Sequence, residues 1–105
     1  MGHFAVIDTE TNWADQVMSI GTVIADTETF RPICAKYHIL APEYQIGGMF
    51  SNTLFIECKI PPMICSREEA LDDLAALFRL HGITSLYAYN APFDRNHLPE
   101  FRGMQ

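Results

Sequence analysis

Residues Ser66 to Gly82 constrain this chain more than any other stretch. Ser66-Arg67-Glu68-Glu69 is a capping-box sequence: the Ser66 hydroxyl suits the amide three residues on, and Glu69 can reach back to Ser66. Leu71, Leu74, Ala75 and Phe78 then recur at helical spacing, with Ala70 and Leu77 flanking them. Gly82 stands where the residue just past a helix end belongs. An amphipathic helix must therefore run between Ser66 and Gly82, and its apolar face needs a partner layer.

The flanking runs are β-rich. Phe4-Ala5-Val6-Ile7 is a short apolar run ending in Asp8, which fits a strand buried on both faces. Val17 to Ala25 and Ile33 to Leu40 are β-rich runs joined by a polar segment, which reads as an antiparallel hairpin. Asn12 to Gln16 is turn-like, and Pro42 to Asn52, with Gly47-Gly48, is loop. Leu54 to Ile60 fits a short strand stopped by Pro61-Pro62. Ile83 to Tyr89 is a further strand candidate. Asn90-Ala91-Pro92 then turns into a helix start carrying Phe93, Asp94, His97 and Leu98. This order predicts one α/β domain across residues 1–105.

Composition narrows the function classes. Hydrophobic residues at 49% and charged residues at 19% exclude a disordered chain. The net charge of −6, with no basic run, offers no electrostatic footprint for a nucleic-acid backbone, so bound cations would have to supply positive charge. No stretch reaches the roughly 18 apolar residues of a membrane span, and the N-terminus lacks the pattern of a signal peptide. Cys34, Cys58 and Cys65 fit neither a zinc spacing nor a disulfide framework, which points to free buried thiols in a reducing cytoplasm.

The tetrapeptide DTET occurs at Asp8–Thr11 and again at Asp26–Thr29. In a strand, residues i and i+2 share a face, so Asp8 and Glu10 sit side by side at a strand end. The second copy falls between two hairpin strands, where turn chemistry favours such residues, and reads as a polar hairpin tip. D-x-E alone is a weak signal. It gains weight if the Ile83–Tyr89 strand lies beside the first strand, because that strand's end would deliver Asp94 to the same crevice. Three carboxylates around one crevice repel unless cations bind, and oxygen-only ligands suit two ions of Mg²⁺ or Mn²⁺.

Asp8-Thr9-Glu10-Thr11, Ser19-Ile20-Gly21-Thr22-Val23 and Ala88-Tyr89-Asn90-Ala91-Pro92-Phe93-Asp94 resemble the first two motifs of the DEDD family of 3′→5′ exonucleases. The resemblance covers residues 4–25 and 81–98, and the middle loosely. It implies a ribonuclease H-like mixed sheet, with an antiparallel three-strand meander followed by helix, strand and helix. It implies that Asp8 and Glu10 bind a metal pair, with Asp8 bridging, and that Asp94 binds the second ion. Thr9 and Thr11 would lie near the terminal nucleotide of a single-stranded DNA or RNA 3′ end. Asn90 would shape the turn that aims the helix, and Phe93 would pack near the scissile nucleotide. A structural Asn turn and a core aromatic are the plainer readings of the last two. Trp13 either stacks on a base or forms a hydrophobic lid over the strand ends.

The chain departs from the family in one large respect. The family's third motif supplies a fourth carboxylate and a His or Tyr that positions the attacking water. The sequence ends at Gln105, too soon after Asp94 to carry it. His3-x₄-Asp8 has the spacing, but a separation of five in a strand puts the two on opposite faces. His97 reads as a surface helix residue, and His38 and His81 have no partner in sequence. The closing part of the sheet would also be missing. The expectation is an N-terminal portion of a longer protein, a natural truncation, or a chain completed by a second copy, and one that is inactive or weak alone. The competing expectation is a non-catalytic remnant that binds nucleotides or a partner protein. A metal-dependent phosphatase of another α/β fold shares D-x-E but leaves Asn90-x-x-Phe93-Asp94 unexplained.

Overall fold

A computed structural model of the protein describes residues 2–48, 62–83 and 85–88. They form strands β1 (His3–Thr11), β2 (Val17–Asp26) and β3 (Pro32–Leu40), a single helical turn α1 (Glu43–Ile46), strand β4 (Met63–Cys65), helix α2 (Arg67–His81) and strand β5 (Leu86–Ala88). The strands make one five-stranded mixed sheet in the order β4-β3-β2-β1-β5. The expected meander is there: β1 pairs with β2, and β2 with β3, both antiparallel. The outer strands β4 and β5 run parallel to β3 and β1.

Helix α2 forms as its sequence requires. Ser66 Oγ accepts from the Glu69 amide at 3.1 Å, and Glu69 Oε1 accepts from the Ser66 amide at 3.1 Å. The Ser66 amide first, and the Ser66 hydroxyl second, hold the Glu69 carboxyl below its ordinary range. Gly82 takes φ +63, its amide reaches the Arg79 carbonyl, and Ile83 N donates to Phe78 O at 2.8 Å. This is the paired C-terminal closure that favours glycine. The buried stripe is Ala70, Leu74, Leu77 and Phe78. It is rotated from the expected one, since Leu71 and Ala75 are only half-buried. The stripe packs on Ala5, Ile7, Ile20, Ile24 and Leu40 to make the main core.

Three expectations need correction. The first strand does not end at Asp8 but runs to Thr11, because its ladder with β2 continues past the apolar run. It is also buried on one face only, since Val6 and Asp8 are exposed. Cys34 and Cys65 are free, as expected, but half-buried rather than buried. Strand β4 and turn α1 were unforeseen, while the candidate strand Leu54–Ile60 lies outside the described residues. Among the described residues, no helix is long and apolar enough to cross a membrane.

Candidate functional site

Strand alternation divides β1 cleanly. Ala5, Ile7 and Thr9 are buried on the α2 side, and Phe4, Val6, Asp8 and Glu10 share the other face. Asp8 is exposed and Glu10 half-buried, about 6–7 Å apart along the strand by its rise per residue. Gly21 lies opposite Asp8, and Ser19 opposite Glu10. A side chain opposite Asp8 would stand about 5 Å from it. Glycine leaves that flank open: a methyl group at 21 would meet nothing nearer than the Asp8 backbone oxygen at 3.8 Å. The ladder slips just past Glu10. Glu10 pairs with Ser19 and Thr11 with Val17, which leaves Met18 as an extra residue. Met18 packs with Ile39, Tyr37 and Tyr44 on the carboxylates' side of the sheet.

A locked loop follows. Asn12, 5% exposed, accepts from the amides of Ala14 and Gln16 at 2.9 Å each. Its Nδ2 donates to Gln16 Oε1 at 3.1 Å and to the Glu43 carbonyl at 2.9 Å. The Trp13 amide donates to Gly47 O at 2.9 Å. Gly48 seats against the strand end so closely that a Cβ would lie 2.6 Å from Thr11 O and 2.9 Å from Asn12 Cα. The Trp13 side chain stands out of this frame, 70% exposed. A lid over the strand ends would bury more of the ring.

Two carboxylates of hard oxygen on one face, with an open flank, fit a divalent cation such as Mg²⁺ or Mn²⁺. Among the described residues, no third His, Cys, Asp or Glu completes a ligand set with them. Asp94, Asn90 and Phe93 lie outside the described residues, as does His97. Thr9 is buried and, by strand alternation, its side chain lies on the face away from the carboxylates. Thr11 is half-buried, with its carbonyl against Gly48. The sequence reading had Asn12, Gly21 and Gly48 only as turn, motif and loop residues, and their roles beside the carboxylates escaped it. Asn at a strand end with Gln four residues on, and the Gly47-Gly48 pair, were the signals for the loop.

No protein-family model, curated protein or solved structure matches this chain.

The remaining polar groups lie elsewhere. In the second DTET, Asp26 Oδ1 accepts from the amides of Glu28 at 2.7 Å and Thr29 at 3.1 Å. Those two bonds hold its carboxyl below the ordinary range. The copy is a hairpin turn, as expected. His3 Nδ1 lies 3.0 Å from the His81 carbonyl oxygen, on the side of β1 away from Asp8. His38 does have a partner. Its ring, 0% exposed beneath α2, places Nε2 2.8 Å from Asp73 Oδ2, while Nδ1 is buried with no hydrogen-bond partner among the described residues. Lys36 Nζ reaches both Asp73 oxygens, at 2.9 and 3.0 Å. The Lys36 bond, then the His38 bond, hold the Asp73 carboxyl below its usual range against the opposing effect of burial. This cluster fastens α2 to β3 on the face opposite the Asp8 pair.

Proposed function

We propose that this chain carries the metal-binding half-site of a 3′→5′ exonuclease acting on single-stranded DNA or RNA ends, on a ribonuclease H-like sheet. The observation that carries the reading is the shared exposed face of Asp8 and Glu10 together with the parallel strand beside it. Strand β5 pairs with β1 so that Ala88 stands opposite Ile7. The chain therefore leaves β5 toward the Asp8–Glu10 end of β1, and Asp94 follows six residues later in sequence. A meander with a parallel strand added beside its first member is also what a ribonuclease H-like sheet requires.

In this reading Asp8 and Glu10 are the ligands, with Asp94 as the third. The chemistry two divalent ions supply is activation of a water and stabilisation of the leaving oxygen of a phosphodiester. The chain's own part is to hold carboxylate oxygens at fixed spacing on a rigid strand, with Gly21 keeping the approach to Asp8 open. Trp13, held out by the Asn12 lock, offers a flat surface on which the terminal base stacks. Thr9 and Thr11 flank Glu10 near the terminal nucleotide in this reading, Thr11 through its backbone. The reading assigns no general base, a group that contributes about 10²–10⁴-fold, so slow cleavage is the expected behaviour.

Mn²⁺ binding and a gel assay with 5′-labelled single-stranded DNA and RNA test this. Saturable Mn²⁺ binding that Asp8→Ala removes is the expected result, with shortening from the 3′ end slow or undetectable. Absence of metal binding favours the non-catalytic remnant instead.

A further inference from the structure

At the end of the sheet where β1 begins, a cavity of about 460 Å³ opens between three elements. Phe4 of β1, Phe30 of the β2–β3 turn and Tyr87 of β5 line it, with His3, Thr27 and Ser85. The Phe4 ring is central: it lies 5.9 Å and 74° from Phe30, and 5.6 Å and 90° from Tyr87. The outer rings remain open to solvent, Phe30 at 72% and Tyr87 at 58%.

Phe30 is unusual for a second reason. It takes φ +58, a left-handed conformation in which glycine or asparagine is the unstrained choice. The turn is built to keep it there. Phe30 N donates to Asp26 O at 2.9 Å, and the Asp26 carboxylate fixes the two amides in between. Burial does not explain this arrangement, since the ring buries little. Backbone strain that presents an exposed aromatic ring over a cavity is a mark of a binding site.

We propose that this cavity binds a small, flat, uncharged heteroaromatic molecule. Its volume lies in the range of small-ligand pockets. Rings set at right angles offer a flat guest a face to stack on and an edge to meet. Among the described residues no Asp, Glu, Lys or Arg lines the cavity, so a charged ligand would enter without a counter-charge from them. Aromatic faces do attract organic cations, but among the described residues a carboxylate is lacking from the lining. The polar groups suit a neutral heterocycle. The His81 carbonyl can only accept, so the neutral His3 ring carries its proton on Nδ1 and leaves Nε2 as an acceptor. Thr27 Oγ1 donates to Gly2 O at 3.1 Å and keeps its lone pairs, and Ser85 adds a hydroxyl. Phe4 lies four residues from Asp8, about 13 Å along the strand, so the site is independent of the carboxylate pair.

Titration of the ¹⁵N-labelled full chain with adenosine, indole and benzyltrimethylammonium tests the proposal by NMR. Adenosine or indole should shift the amides of Thr27 to Phe30 and of Tyr87 along a saturating curve. Phe30→Leu and Tyr87→Leu, each checked for folding by circular dichroism, should weaken that binding about tenfold, the loss of one stacking contact. Shifts that grow linearly without saturation, affinities unchanged in both variants, or tighter binding of the ammonium probe would each overturn it.

Discussion

Asn12 Nδ2 lies 2.9 Å from the carbonyl oxygen of Glu43, a contact 31 residues apart in sequence that ties the β1–β2 loop to the turn after β3. Three further bonds to the same amide fix the loop from within. Trp13 is the single tryptophan, so its emission reports on this loop alone. Asn12→Ala should cost about 1–3 kcal/mol, the price of leaving buried partners unsatisfied. It should also lower the fluorescence anisotropy of Trp13. Asn12→Asp retains the acceptor bonds to Ala14 and Gln16 but sets a carboxylate oxygen against the Glu43 carbonyl, so it should not restore the stability. Urea unfolding and anisotropy on the three proteins check this.

Gly48 makes a complementary demand on the same frame. A Cβ at this position would sit 2.6 Å from the Thr11 carbonyl oxygen, and backbone on both sides cannot yield cheaply. Gly48→Ala should destabilise the chain by about 1–3 kcal/mol. Gly21→Ala, whose added methyl meets only ordinary contact at 3.8 Å, should change stability far less. Thermal melts of the two variants side by side give the comparison.

The Lys36–Asp73–His38 cluster gives a pH signature. The folded-state carboxyl of Asp73 is held below its unfolded value by Lys36 first and His38 second. A depressed carboxyl stabilises the fold fully above the unfolded value, about pH 4, and loses that stabilisation as pH falls through the folded one. Asp73→Asn should therefore lower the urea midpoint at pH 7, and the gap between the two proteins should shrink as pH drops below about 4. A gap independent of pH across that window would show that the carboxylate charge contributes nothing.

Helix α2 stands on its ends. Ser66→Ala removes the cap and should cost about 0.5–2 kcal/mol. Gly82→Ala forces a side chain into φ +63 and should cost about 1–2 kcal/mol through the backbone, since none of the described residues lies within 4 Å of the added methyl. Far-UV melts of both variants read these losses.

What was legible in the sequence was local. Each end of α2 is written within a few residues, Ser66 with Glu69 at one end and Gly82 at the other, and the meander follows from β-rich runs of sufficient length. The asymmetry of the two DTET copies follows from what flanks them: Asp26 closes a turn on its own neighbours, while Asp8 sits within a ladder. What was hidden depends on pairing across the chain. Strand β1 reaches Thr11 because Thr9, Glu10 and Thr11 find partners in β2, although they are too polar to signal a strand. Strand β4 is three residues long and exists only through its ladder with β3. The Asp73 partner of His38 is 35 residues away, so no spacing announces it. The Asp8–Glu10 pairing was visible from the period of a strand. Its open flank was not, because Gly21 belongs to another strand.

The central claim is that Asp8 and Glu10 hold a divalent cation on the exposed face of β1. Electron paramagnetic resonance of free Mn²⁺, titrated with the wild-type chain and with Asp8→Ala, Glu10→Ala and Asp26→Ala variants, tests it most directly. The account predicts saturable depletion of the free-ion signal by the wild type and by Asp26→Ala, and its loss in both Asp8→Ala and Glu10→Ala. Depletion that is absent in the wild type, or that survives both substitutions in the first DTET, would contradict it.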